Sequence, residues 1–124
     1  MKRSALFVLI VLVLAAAPAW AEGPTAAKAV AGTEDGVTTV AITVASKGDE
    51  VYGVNIKGAK MEGIRAPKGW VGISSGSSVI FRTGENPVKS GHSLAFTIQT
   101  SEPSASLTVS FRGKDDAVGQ PVNL

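Results

Sequence analysis

His92 is the single imidazole in a chain of 124 residues, and Ser93 follows it directly. A serine nucleophile with its base is therefore the first chemistry to weigh. A hydrolase needs the serine held by an imidazole that is itself oriented by an acid. "KSGHSL" reads as a turn running into a strand, where neighbouring side chains point to opposite faces, so His92 and Ser93 do not pair. No G-x-S-x-G elbow occurs. As a metal ligand His92 lacks company, because cysteine is absent and Met61 is the only methionine after Met1. The acidic pairs Glu34-Asp35, Asp49-Glu50 and Asp115-Asp116 all lie in glycine-containing turns, where solvation accounts for them. "GKDDAVG" (Gly113–Gly119) offers the loop oxygens a hard cation takes, but not the spaced D-x-D-x-D-G set of a calcium loop. "GISSGSS" (Gly72–Ser78) has neither the lysine nor the following helix of a phosphate loop and reads as a hairpin tip. The expectation is no catalytic site, no metal site and no cofactor.

Trp70 is the remaining candidate, in "RAPKGWVGISSG". Ala66-Pro67-Lys68-Gly69 fits a type I turn, with proline second and glycine fourth. Trp70 would then open a new strand. Two roles are compatible with that position. The indole can close one end of a β-sandwich core, its N–H meeting a carbonyl. Alternatively it can be a stacking platform for a sugar or peptide, with Tyr52, Arg65 and Lys68 around the ligand.

The elements that must position these residues begin after a leader. "MKRSALFVLIVLVLAAAPAWAEG" has a positive start at Lys2 and Arg3, an apolar run from Leu6 to Ala17, and the small-x-small step Ala19-Trp20-Ala21. That is the layout of a secretory signal peptide over residues 1–21, cleaved after Ala21. The apolar run falls short of the ~20 residues a bilayer span takes. The expected product is one domain, Glu22 to Leu124, secreted or periplasmic, with no stable membrane anchor. The net charge of +2 is the contribution of Lys2 and Arg3, so the domain itself is balanced. Its basic residues are scattered along the chain, whereas nucleic-acid binding requires them clustered on one face. No nucleic-acid partner is expected. Without cysteine there is no disulfide, and the core alone must hold the fold.

From Val37 onward the hydrophobic pattern has period two, the mark of half-buried strands. "VTTVAITV" sets Val40, Ile42 and Val44 on one face. "VYGVNI" sends Tyr52, Val54 and Ile56 one way. "SVIFRT" sets Val79 and Phe81 against Ile80 and Arg82. "LAFTIQT" gives Leu94, Phe96 and Ile98, and "SLTVSFR" gives Leu107, Val109 and Phe111 against Thr108, Ser110 and Arg112. Between the runs lie turn formers such as "TEDG", "SKGDE", "TGENP" and "RGKDD". "TAAKAVAG" is expected to be a first strand paired with Val37–Val44 across Glu34-Asp35-Gly36. With Val71–Ile73 and Val118–Val122, seven or eight strands result, in an all-β, two-sheet antiparallel sandwich.

"IRAPKGW" followed by "VIFRTGENPVKSGHSLAFTI" resembles the immunoglobulin-like β-sandwich modules of bacterial and archaeal secreted and surface proteins, of which cohesin-like domains are one branch. The matching residues are Pro67, Gly69 and Trp70, then Pro87, Gly91, Phe96 and Ile98. The resemblance spans roughly Val51 to Gly119 and implies an immunoglobulin-like sandwich. The function that follows is an exported, non-catalytic β-sandwich that binds or structurally supports a protein or glycan of the cell envelope or extracellular space. The sheet edges expected to receive a partner are the first strand and the final "PVNL". The other reading is a stand-alone carbohydrate-binding module using Trp70.

Overall fold

The computed structural model describes residues 23–124. The leader and its cleavage step lie outside the described residues. The described residues form nine strands and no helix: β1 (Thr25–Glu34), β2 (Val37–Ala45), β3 (Gly53–Lys57), β4 (Gly63–Arg65), β5 (Val71–Ser75), β6 (Ser78–Arg82), β7 (Ser93–Thr100), β8 (Thr108–Arg112) and β9 (Val122–Asn123). They make a four-stranded sheet, β1-β2-β7-β4, and a five-stranded sheet, β5-β6-β3-β8-β9. Every ladder is antiparallel. The two sheets form a sandwich, as the alternating pattern requires.

Local chemistry explains the elements. β1 and β2 join through Asp35 and Gly36, both at positive φ (54° and 79°), the two-residue loop that matches strand twist. Two tight turns in the five-stranded sheet also rest on glycine. Gly76, at φ 61°, links β5 to β6, and Gly58, at φ 121°, ends β3.

The core is the inner set of both sheets. Val40, Ile42 and Val44 of β2 with Phe96 and Ile98 of β7 face Val54 and Ile56 of β3, Val79 and Phe81 of β6, and Val109 and Phe111 of β8; all are buried. Each contributes ~1.5–3 kcal/mol gross by leaving water. Trp70, Val51, Ala59, Val88 and Leu107 complete the core.

Four expectations need correction. The ninth strand is β4, whose three residues are too short to show a period. The last strand is only Val122–Asn123, with Ala117 bridged to Arg112 ahead of it. Tyr52 does not point inward with Val54 and Ile56. Val51 is buried instead, exchanging a pair of backbone hydrogen bonds with Val88 (3.0 and 2.9 Å). The alternation slips one residue before β3 begins, which turns the Tyr52 ring outward. Leu94 is half-buried, packed against the core rim.

Candidate functional site

Trp70 is 6% exposed. Its indole N–H donates to the Asn86 carbonyl at 2.8 Å, and its ring meets Phe96 edge-on, centroids 4.8 Å apart at 79°. Phe96 in turn packs on Phe81 at 5.0 Å. The turn before it is one residue later than the type I assignment: the Trp70 N–H donates to the Pro67 carbonyl at 3.0 Å, with Gly69 at φ 85°. Glycine at positive φ in the third position makes this a type II turn. The Thr83 hydroxyl ties the turn down, donating to the Gly69 carbonyl at 2.7 Å and accepting the Asn86 N–H at 3.0 Å.

The proposed companions of Trp70 do not share its burial. Arg65 is exposed on β4, in register with Thr97 of the four-stranded sheet. Lys68 is exposed in the turn. Tyr52 lies beside the outer face of the other sheet, in a pocket with Arg82 and Arg112. A buried indole with its N–H satisfied leaves no face for a sugar, so the four residues form no common platform.

The structure assembles a different group on the outer face of the five-stranded sheet. Gly53 of β3 is in register with Arg82 of β6 on one side and Arg112 of β8 on the other. Lys114 completes the rim of a pocket of about 120 Å³ over this row. Among the described residues the only ion pair is Lys60–Glu62, so Arg82, Arg112 and Lys114 have no carboxylate partner. The Arg112 guanidinium donates once, to the Asp115 carbonyl at 3.1 Å. Two strands ending Phe-Arg were the available signal. Phe81 and Phe111 both pair with Val54, which brings both arginines to Gly53.

The Tyr52 hydroxyl donates to the Glu50 carboxylate at 3.2 Å. Partial burial, then that hydrogen bond and the Glu50 charge, push its pKa above the ordinary value. The folded state therefore holds this proton more tightly than the unfolded chain does. The linked stabilisation is present below the unfolded pKa of about 10 and is lost as pH climbs through the folded one. Tyr52 is the chain's only tyrosine, so alkaline tyrosinate absorbance reports it alone. The midpoint is expected above that of free tyrosine and should move back toward it in Glu50→Gln.

The same face carries an apolar edge. Val71 and Ile73 of β5 are 66% and 71% exposed, and Ile80 of β6, opposite Ile73, is 42% exposed. The inward positions between them are Gly72 and Ser74, and a Cβ at Gly72 would strike the Phe81 ring. No backbone hydrogen bond outside the β5–β6 ladder involves Val71–Ser75 among the described residues.

His92 is exposed, with its backbone N–H donating to the Lys89 carbonyl at 2.9 Å. The loop of Asp115 and Asp116 closes on itself through Gly113 N–H to the Asp116 carbonyl at 2.7 Å. Among the described residues no cluster of three or more histidines and carboxylates could hold a metal ion.

No protein-family model and no curated protein matches the sequence. Among solved structures the chain is similar to the GH20 exo-β-N-acetylglucosaminidase of Vibrio harveyi. The inactive mutant gives 11% identity and a TM-score of 0.48 over 83% of this chain and 17% of that one. The form in complex with N-acetylglucosamine gives 10% identity, 0.48, and the same coverage. The chain spans 17% of the length of these enzymes.

Proposed function

We propose that the chain is an exported, non-catalytic, immunoglobulin-like binding module, secreted or periplasmic, that docks another envelope or extracellular protein along β5. The immunoglobulin-like reading is supported by strand order. β1-β2-β7-β4 and β3-β8-β9 follow the A-B-E-D and C-F-G arrangement. The β5–β6 hairpin extends the second sheet beyond β3 and enters the chain between the fourth and fifth strands of that scheme.

The single observation behind the binding role is the edge of β5. Sheet edges are normally guarded by charge, proline, bulges or brevity. β1 has Lys28 in register with the buried Ile42 and a bulge between Val30 and Gly32. β4 has three residues, and β9 has two, just after Pro121. β5 has five residues in unbroken register, no charge and no proline. Its two large side chains face water. A partner's extended segment can pair with this backbone and cover Val71 and Ile73.

Ile73→Lys, which supplies the missing guard, tests it. The surface site should leave stability within about 0.5 kcal/mol of the parent. Affinity capture from an envelope extract should recover a defined protein with the parent chain and at least tenfold less with the variant. Equal recovery by both would overturn the assignment to β5. A homodimer broken by Ile73→Lys would give the edge to a second copy instead and would likewise overturn it.

A further inference from the structure

We propose that the slot over Gly53 is an oxyanion site for an acidic saccharide, a sugar carrying one carboxylate or sulfate. This goes beyond the β5 docking edge and uses different residues. Adjacent strands lie ~4.8 Å apart, which sets the Arg82 and Arg112 backbones about 10 Å from each other with Gly53 midway. Any side chain at position 53 would stand between them. Gly53 is buried, with the Arg112 stem beside it: a Cβ built there would come 3.3 Å from the Arg112 Cβ and 3.9 Å from its Cδ.

Each guanidinium presents a planar fork of donors, the geometry that a carboxylate or sulfate accepts in pairs of bonds. The Arg82 side chain makes no hydrogen bond or ion pair among the described residues, and the Arg112 side chain makes one hydrogen bond, to a backbone carbonyl. Lys114 adds a third unpaired cation at the rim. The acidic groups around the site are Glu50, which accepts the Tyr52 hydroxyl, and Asp115 and Asp116 in the loop beyond Lys114. None is in ion-pair contact with the cations. Their charge opposes a dense polyanion such as nucleic acid but permits a single oxyanion seated between the arginines. The half-buried Tyr52 is the one aromatic residue lining the slot. A concave site with an apolar wall and a few convergent polar groups is the form that small-ligand sites take. Here it would take the C–H face of a pyranose whose acidic group meets the guanidiniums.

The test is amide-shift titration of the exported protein with a glucuronate-containing disaccharide and a 6-sulfated N-acetylhexosamine. Neutral glucose, inorganic sulfate and an acetylated Glu-containing peptide are the comparison ligands. Saturable shifts centred on Gly53, Arg82 and Arg112 are expected for at least one acidic sugar. Affinity should fall tenfold or more in Arg82→Ala and in Arg112→Ala. It should fall similarly in Gly53→Ala, which keeps every charge and presses on the Arg112 stem. Ile73→Lys should leave it unchanged, so this site and the β5 edge fail separately. Undiminished binding by Gly53→Ala would reduce the effect to diffuse charge and overturn the site. Equal affinity for sulfate alone, for glucose or for the peptide would overturn the acidic-saccharide assignment. Melting curves establish that each variant is folded, and the three substitutions are independent of one another.

Discussion

Trp70→Ala should destabilise the domain by roughly 3–5 kcal/mol, the range for removing a large aromatic from a core. The side chain sits where three supports converge. It closes the core against Phe96, which is itself held by Phe81. Its N–H anchors the Asn86 carbonyl, and through it the loop that Thr83 fastens to the Gly69 turn. Truncation leaves an apolar void and releases that loop from the core together. For a domain of this size each kcal/mol lowers Tm by ~4–8 °C, so the loss takes much of a typical margin of 5–15 kcal/mol. Trp70→Phe retains the edge contact and loses the hydrogen bond and part of the volume, so its cost should be clearly smaller. Chemical denaturation with the linear extrapolation measures both. In protein lacking Trp20, native emission should be blue-shifted and resist aqueous quenchers. A variant as stable as the parent, or emission quenched like free indole, would remove Trp70 from the architecture and return it to the surface.

The contrast between what was legible and what was not follows from the range of each interaction. Phe96 and Ile98, or Val109 and Phe111, alternate with polar residues inside one strand, and a two-residue period is visible without knowing the partner strand. Asp35-Gly36 is equally local, because a two-residue hairpin loop needs positive φ at both positions. Tyr52 departs from its strand's alternation because its facing depends on Val51 bonding Val88, thirty-seven residues away in the chain. The Gly69 turn falls one residue later than the sequence predicts because the proline fits position two of one turn and position one of another. Only the Thr83 and Asn86 contacts, made on folding, select between them. The Gly53 slot was hidden for a related reason. Each arginine was correctly placed outward by its strand's parity, but their meeting requires β6 and β8 to flank β3 in matching register. Alternation along a strand identifies the face a residue occupies; the neighbours it meets there are set by strand order.

Gly58→Ala should cost about 3–5 kcal/mol, several times the usual effect of so small a change. Two separable terms produce it. Gly58 has φ 121°, a region side chains avoid, at ~1–3 kcal/mol. In addition its Cβ would be driven into the Ser106 carbonyl, with the Leu107 Cα only 3.3 Å away. Backbone cannot swing aside as a rotamer does, and Leu107 is both buried and bonded to Leu124 in each direction (3.1 and 2.8 Å). Moving Ser106 thus withdraws a core residue and loosens the C-terminal strand, an overpacking cost of ~1–3 kcal/mol more. Gly76→Ala is the control, since Gly76 also has positive φ (61°) but open space around its Cβ. It should carry the backbone term alone, about 1 kcal/mol. The excess of the Gly58 cost over the backbone strain of its own φ reports the close approach of β3 to the β7–β8 connection. Equal costs would mean that this approach yields freely, and that the sandwich is not held there by contact between backbones.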